Sequence, residues 1–600
     1  MKSNEAKAVV RSLVGRLIHQ DGAYRLPEGI LSEEDVAALQ SLAGIEATSA
    51  DTKSSKAKQP SIPIDRSAFD TKGPSEEEIR LCLDFGTAMS KAWATRRTED
   101  ETVPLVLGRV AGTGDTLAVP SSIFISQTGR IYFGVDAEIQ HRQEIDSGRR
   151  RFDNLKRMLS EAEVGQELDD VTLSSDIDPT ASGLSKGDLL VLYLAWLTDL
   201  ALKALKNDLG DRQSADGDGA ELRYLCRRFA IPCFEHAQDE TVGGAKRAEW
   251  AKRIMERALL RAQVVADTLT DKWVELSVDG ARLLLSEVRG IDTAKLTHLL
   301  AETAPVREPI AAGASRFDEK IAEAGTATSA GASHVRRALL VIDAGAGTTD
   351  FALFQVFWDS DREKIRYALI APAVRMCRVA GNAVDEVLRP IILTACGVDP
   401  KSGHPRSDED FGIIKLDLSA RIRDIKQDLF TNDLAEIELR PNASGLLRLD
   451  AILKNSEYER LGKELRLARD ILIESAFGKD PAFLEELGAK TRRLGRSLPI
   501  HVLLTGGSSV LPIVQKLAEG ELTIGGVPFG FLQVTERPSW IESLPREEAD
   551  LVAAAYPQCA VAIGGSAREL PEELPDLSSL VMPPRSGKRV LERYQVTGVG

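Results

Sequence analysis

Two stretches of this chain, far apart in sequence, repeat one order of residues. The first is "LCLDFGTAMSKAWA", Leu81 to Ala94, and the second is "ALLVIDAGAGTTDFALFQVF", Ala338 to Phe357. In each, an apolar strand runs into an aspartate, Asp84 or Asp343. Glycines and small hydroxyl residues come next: Gly86, Thr87 and Ser90 in the first, Gly345, Gly347, Thr348 and Thr349 in the second. A carboxylate at the mouth of a buried strand is costly unless something pairs with it. A metal ion, a phosphate site or a simple turn each accounts for one such segment. One segment alone reads as easily as an ordinary glycine turn. Two matching segments, in different halves of the chain, predict a pair of equivalent hairpins with a shared task.

The residues after each turn separate the phosphate-binding designs. Beyond Asp350 the chain continues Phe-Ala-Leu-Phe-Gln-Val-Phe, rich in strand formers. A dinucleotide fold needs GxGxxG opening a helix. Here Asp350 takes the third glycine position and a strand comes after it. A Walker loop needs GxxxxGK and then Ser or Thr, and the sequence has none. Two hairpins instead offer backbone N–H groups and hydroxyls to the two ends of a polyphosphate. Asp84 and Asp343 would then face a hydrated Mg2+, which prefers few carboxylates and several waters. A third glycine site, "IHVLLTGGSSVLPIVQKLAEG" (500–520), has a strand, Val502 to Thr505, running into Gly506 and Gly507. Paired glycines let a flat ligand lie against the backbone. Ser508 or Ser509 is placed to cap a helix, and Pro512 suits its first turn, which would add a positive dipole end.

The remaining chain bounds the setting. Its 600 residues exceed one hydrophobic core, so several domains or lobes are expected. A formal charge of -15 argues against a broad nucleic-acid or anionic-membrane surface. The six cysteines form no CxxC pair, so neither a zinc site nor a disulfide framework is expected. There is no apolar signal core at the start and no run of membrane-spanning length, which predicts a cytoplasmic protein. Val9, Val10, Leu13, Val14, Leu17 and Ile18 recur at helical spacing. Ser32 is placed to cap a second expected helix carrying Val36, Leu39 and Leu42. The reading is an N-terminal helical segment over 1–45 and a flexible Ser-, Lys- and Pro-rich linker over 46–78. Segments 207–221 and 323–334 read as surface loops, and the proline-punctuated tail as chain lying along the surface.

The order of the three glycine sites resembles the actin-like ATPase superfamily, which takes in sugar kinases, actins and the seventy-kilodalton heat-shock chaperones. Further stretches are similar to the chaperone (DnaK-like, heat shock protein 70) branch. They are "FAIPCFEHAQ" (229–238) with Pro232, "VREPIAAGAS" (306–315) with Glu308, "FDNLKRML" (152–159), "VAGNAVDEVL" (379–388) with Gly381 and Asp385, and "PQCAVAIGGSA" (557–567). The resemblance covers roughly residues 79 to 567. It implies an α/β, actin-like ATPase fold of two lobes, each a ribonuclease-H-like mixed sheet flanked by helices. Lobe I would span 79–335, lobe II 336–555, and a return helix to lobe I with a tail 556–600. ATP or ADP and Mg2+ are the implied cofactors. Asp84, Gly86 and Thr87 would hold phosphate and metal from one side. Asp343, Gly345, Gly347, Thr348, Thr349 and Asp350 would do so from the other, with Asp84 and Asp343 facing the metal. Glu308 or Asp350 would orient the attacking water. Gly381, Gly506, Gly507 and Ser508, with Lys426 of "ARIRDIKQDLF" (420–430), would hold the nucleoside.

Two departures temper the resemblance. The family places a catalytic lysine where "FGVDAEIQ" (133–140) puts Glu138 or Ile139. An ammonium beside the transferring phosphate is a large electrostatic contribution, so binding with slow hydrolysis is expected, with Lys156 or Lys91 as substitutes from elsewhere. Val510 likewise stands in place of the family's adenine-side arginine. The chain also leaves no room for the family's peptide-binding sandwich and lid. The expectation is therefore a Mg-ATP-dependent two-lobed switch, chaperone-type or regulatory, meeting a protein partner or client through the N-terminal helices or tail. A filament-forming actin-like ATPase and a catalytically weak nucleotide-binding scaffold would share the same site. A small-molecule kinase fits the Glu308 segment least well.

Overall fold

A computed structural model describes residues 18–20, 23–25, 62–70, 79–96, 101–212, 224–234, 243–316, 337–359, 364–478, 481–567 and 570–574. The chain divides into two units, Met1–Pro60 and Ser61–Gly600. In the first, strand Ile18–Gln20 pairs antiparallel with Ala23–Arg25. Asp21 and Gly22, which favour a tight hairpin turn, lie between them in sequence. Ile18 therefore leaves the helical stripe predicted for it. The rest of the two predicted N-terminal helices lies outside the described residues, as do 323–334 and most of the tail.

The second unit is built on two mixed sheets of one design. In the first sheet, β1 (Ile79–Asp84), β2 (Met89–Arg96) and β3 (Glu101–Pro104) run antiparallel in sequence order. β4 (Arg227–Ile231) then pairs parallel to β1 on its other edge, and β5 (Val306–Arg307) pairs parallel to β4. In the second sheet, β6 (Arg337–Ala344), β7 (Thr349–Asp359) and β8 (Lys364–Cys377) repeat the antiparallel run. β9 (Leu498–Thr505) is parallel to β6, and β10 (Val527–Gln533) is parallel to β9. The order and direction of these five strands thus match, 3-2-1-4-5 in each sheet. The central strands are covered on both faces, which is why they read as nearly continuous apolar runs. Glu572–Leu574 adds a parallel strand beside β8, so the start of the tail extends this sheet.

Helices flank both sheets. α1 (Lys186–Arg212) and α2 (Gly244–Leu269) pack together in the first half, and α1 runs into the predicted 207–221 loop. The junction is made by α3 (Glu308–Ala314) and α7 (Arg546–Ser566), with α4 (Gly381–Ala395), α5 (Asp408–Asn432) and α6 (Ser456–Phe477) between them in sequence. α7 starts ten residues earlier than the predicted return segment and does lie on the first sheet. The Arg228 guanidinium donates to the Gly565 and Ala567 carbonyls. α3 meets the second sheet where Gly313 faces Phe354 and Val341. The predicted linker needs a correction at 62–70. Ile62, Ile64 and Phe69 pack on the core, Ala68 is buried, and the Asp65 N–H donates to Thr268 Oγ1 at 3.0 Å. These apolar residues decide the local outcome despite their polar neighbours.

The crossing of α3 and α7 depends on glycine. A Cβ on Gly564 would lie 1.7 Å from the Ala311 carbonyl oxygen and 2.5 Å from the Ser315 nitrogen. Both obstacles are backbone, so a side chain must push the helices apart. Gly564→Ala should cost about 1–3 kcal/mol in denaturant unfolding. Gly412→Ala, in α5 with nothing within 4 Å of the added carbon, should leave stability level or slightly raised. Equal effects from the two substitutions would contradict this packing.

Candidate functional site

The two turns have one build. Four partly exposed residues, Gly86–Met89 or Gly345–Thr348, follow a buried strand whose last residue, Asp84, or last but one, Asp343, is a buried aspartate. Gly86 admits no side chain, since a Cβ would lie 1.9 Å from the Met89 carbonyl oxygen. The turns also meet each other. A Cβ on Gly347 would stand 2.8 Å from Thr87 Oγ1. The predicted hairpins therefore come from different sheets and touch at their tips.

Beneath the tips lies a buried charge cluster. Asp84, Glu308, Asp343 and Asp350 are all less than one tenth exposed. Two ammonium groups join them. Lys91 Nζ lies 3.1 Å from Asp84 Oδ2, and Lys156 Nζ pairs with Glu308 Oε1. Burial acts to lower both lysines, but the facing carboxylates outweigh it and hold them above their ordinary value. Burial pushes Glu308 up; Lys156 opposes this and Asp84 adds to it. Asp343 is pushed up to about 7 by burial, then by the charges of Glu308 and Asp84, while the Thr505 hydroxyl donates to it at 3.0 Å. Asp350 is raised well above the carboxylate range by burial and by Glu308, against the Cys233 N–H that donates to its Oδ1 at 2.9 Å.

Were all four carboxylates ionised, two ammoniums would leave two negative charges in excess, and the raised proton affinities of Asp343 and Asp350 reduce that excess. Among the described residues no three His, Cys, Asp or Glu side chains are grouped to hold a metal ion directly. Asp84 and Asp343 still fit a hydrated divalent cation, which needs few protein ligands. Asp343 and Asp84 are both buried and close enough for the charge of Asp84 to raise the proton affinity of Asp343, and a cation between them would relieve that repulsion. Such an ion would supply neutralising charge to bound phosphate oxygens.

The third glycine site converges on the second turn. The Ser508 hydroxyl donates to the Gly345 carbonyl at 2.8 Å, and the Gly381 N–H donates to the same oxygen at 3.2 Å. Lys426 on α5 donates to the Gly381 carbonyl at 3.1 Å and pairs with Asp385 at 2.7 Å. A Cβ on Gly381 would lie 2.6 Å from Ser508 Oγ and 3.3 Å from Lys426 Nζ. Gly506 has a φ of 85° and little space, with the Ala344 carbonyl oxygen 2.3 Å from a would-be Cβ. Gly507 faces open space. The residues expected around a nucleoside are thus neighbours, although they span Gly381 to Ser508 in sequence.

Several assignments change. Thr349 is fully buried and its hydroxyl donates to the Val379 carbonyl at 2.6 Å, so it serves the fold. Neither Ser508 nor Ser509 caps a helix. The helix after the glycines is only Pro512–Gln515, with Leu511 at its N-cap, so the expected dipole contribution lapses. Pro512 does hold its first position. Glu138 pairs with Arg151 at 3.5 Å and Arg423 at 3.8 Å, and Ile139 is largely exposed, so neither joins the charge cluster. Lys91 and Lys156 do join it. Lys91 is legible from hairpin register, since it sits directly opposite Asp84. Thr505 and Cys233 escape sequence reasoning, and only tertiary contact reveals them.

No helix among the described residues is long and apolar enough to cross a membrane. No protein-family model and no curated protein matches the chain.

The Asp343 shift has a pH signature. The folded state holds its proton more tightly than the unfolded chain, where the ordinary value is 3.8. Its contribution to stability is complete below that value and is lost as pH rises through about 7. Without added Mg2+, the protein should melt lower at pH 8 than at pH 5, and Asp343→Asn should flatten part of that slope. The variant should gain on the order of 2–4 kcal/mol at pH 8. An unchanged slope in thermal melts would refute the assignment.

Proposed function

We propose that this chain is a heat shock protein 70-like ATP-binding protein of the actin-like ATPase fold, a Mg-ATP-dependent two-lobed switch with slow ATP hydrolysis. One observation carries the reading. Two sheets with the same five-strand order, 3-2-1-4-5, present equivalent Asp-Gly-Thr hairpins tip to tip over a buried acidic floor. A polyphosphate held between the turns would contact both halves at once. It would therefore favour the closed arrangement over any open one, which is how a ligand shifts a two-state equilibrium.

The side chains suggest the roles. Thr87 and Thr348 would contact phosphate, and Asp84 and Asp343 would hold the hydrated Mg2+. Glu308, with its raised proton affinity, is suited to accept a proton from water. Lys156 and Lys91 are the ammonium groups of the floor, and they would supply the positive charge that Glu138 and Ile139 do not. Gly507, open to the surroundings, would lie against the nucleoside with Ser508 and Lys426 behind it.

A catalytically weak scaffold is the second reading. It is favoured by the engagement of both lysines with carboxylates, which leaves less of their charge for a phosphate. Partner choice and the chaperone or regulatory role rest on the family resemblance.

Titration calorimetry with ATP and ADP plus Mg2+, then single-turnover hydrolysis, tests the proposal. Asp343→Asn should weaken Mg-ATP binding or turnover at least tenfold. Lys156→Met with Glu308→Gln replaces the buried pair by neutral groups and limits the cost of leaving one charge alone, about 3–5 kcal/mol. That double variant should bind ATP within tenfold of wild type while losing about 100-fold or more in hydrolysis. Tight binding with no turnover in the wild type would select the scaffold. No ATP binding by the folded protein would refute both readings.

A further inference from the structure

Helix α6 presents one face that the charge cluster and the glycine turns do not use. Tyr458, Glu459, Gly462, Lys463 and Arg466 recur at intervals of three and four residues, so they share this face. Across from them, Ile513 and Lys516 rise from the turn beyond the third glycine site. Together with Leu453 these residues line a groove of about 290 Å³. None of them belongs to the candidate nucleotide site.

Three features point to a ligand. First, Lys463, Arg466 and Lys516 are exposed and make no ion pair among the described residues, so three cations converge on the groove against one carboxylate, Glu459. Second, Tyr458 is only 2% exposed, and its hydroxyl lies against the Ile513 backbone at the inner wall of the groove. Third, Gly462 sits deep within a 22-residue helix, where glycine is disfavoured. Packing does not demand it, since an added Cβ would touch Ile513 only at an ordinary 3.4 Å. A larger side chain there would project toward Ile513, across the groove.

We propose that this groove binds a small organic anion. A phosphate or carboxylate would lie among Lys463, Arg466 and Lys516. An apolar or aromatic body would rest on Ile513 and Leu453, within reach of the Tyr458 hydroxyl. Size limits the ligand, because the volume falls at the small end of ligand pockets, which begin near roughly 300 Å³. A phosphorylated ring fits and a nucleoside triphosphate does not. The groove also adjoins the candidate nucleotide site through Tyr458, which stacks on Phe430 at 6.3 Å, one helical turn from Lys426.

Phenyl phosphate and inorganic phosphate are suitable probes, titrated into the full chain with ligand-observed NMR up to about 5 mM. Phenyl phosphate should bind at least tenfold more tightly than inorganic phosphate, and more weakly as salt is raised. Lys463→Gln with Arg466→Gln, both at exposed positions, should weaken it at least tenfold. Gly462→Met, which fills the groove, should abolish it. No binding at the highest concentration, or binding indifferent to these substitutions, overturns the proposal. Displacement of phenyl phosphate by ATP with loss of binding in Lys426→Ala would place the probe in the nucleotide cleft and overturn it as well. The titration needs no nucleotide, so failure of the ATP reading leaves it intact.

Discussion

The floor beneath the two hairpin turns holds four carboxylates against two ammonium groups, all of them taken out of bulk water. Burying unpaired charge is expensive, and proteins meet that cost by pairing charges or by shifting proton affinities. Both responses occur here. Lys91 and Lys156 neutralise Asp84 and Glu308, while Asp343 and Asp350 are pushed toward their protonated forms. Two carboxylates are thus met by ammonium groups and two by a raised proton affinity, and a cation beside Asp343 would favour its ionised form. The surrounding elements hold these groups together. Strands β1 and β6 deliver an aspartate each, α3 delivers Glu308, and the crossing of α3 with α7 fixes the distance between the sheets.

The tip contact between Thr87 and Gly347 gives the cluster a mechanical meaning. The turns belong to different sheets, so a ligand bound across both would couple the two halves of the body. The outer helices reinforce this coupling. Arg142 pairs with Asp424 at 3.1 Å, and Arg423 reaches back toward Glu138, so α5 is tied to the first half by exposed ion pairs. Exposed pairs contribute little each, about 0–1 kcal/mol. The proposed ligand-driven switch would need such weak ties, because a deeply stable closed state would leave a ligand nothing to shift.

The hairpins, both aspartates and the paired glycines are legible in the sequence because each is a local matter. Strand formers ending in a carboxylate and a glycine turn have few alternatives, and the repetition in two halves removes most of those. Lys91 is also within reach, since antiparallel register places it opposite Asp84. Lys156 is not. It reaches Glu308 across 152 positions of sequence, from a segment whose local pattern says nothing of the cluster. The capping role expected of Ser508 fails for a related reason. Its hydroxyl has a better acceptor, the Gly345 carbonyl, brought near only by the parallel pairing of β6 with β9. Thr349 shows the same effect, since its neighbour Thr348 lies in the turn while Thr349 itself faces the interior.

Sequence alone determined the hairpin form of both turns and the acidic residue at or next to the end of each leading strand. These come from apolar runs, from the need for glycine where backbone crowds backbone, and from the cost of a buried carboxylate. Tertiary structure decided which charges share the floor, which hydroxyls are spent on the fold, and that the two turns meet at their tips. Those outcomes depend on how two sheets and the helices between them pack. Packing brings together groups hundreds of residues apart, and no local pattern encodes that distance.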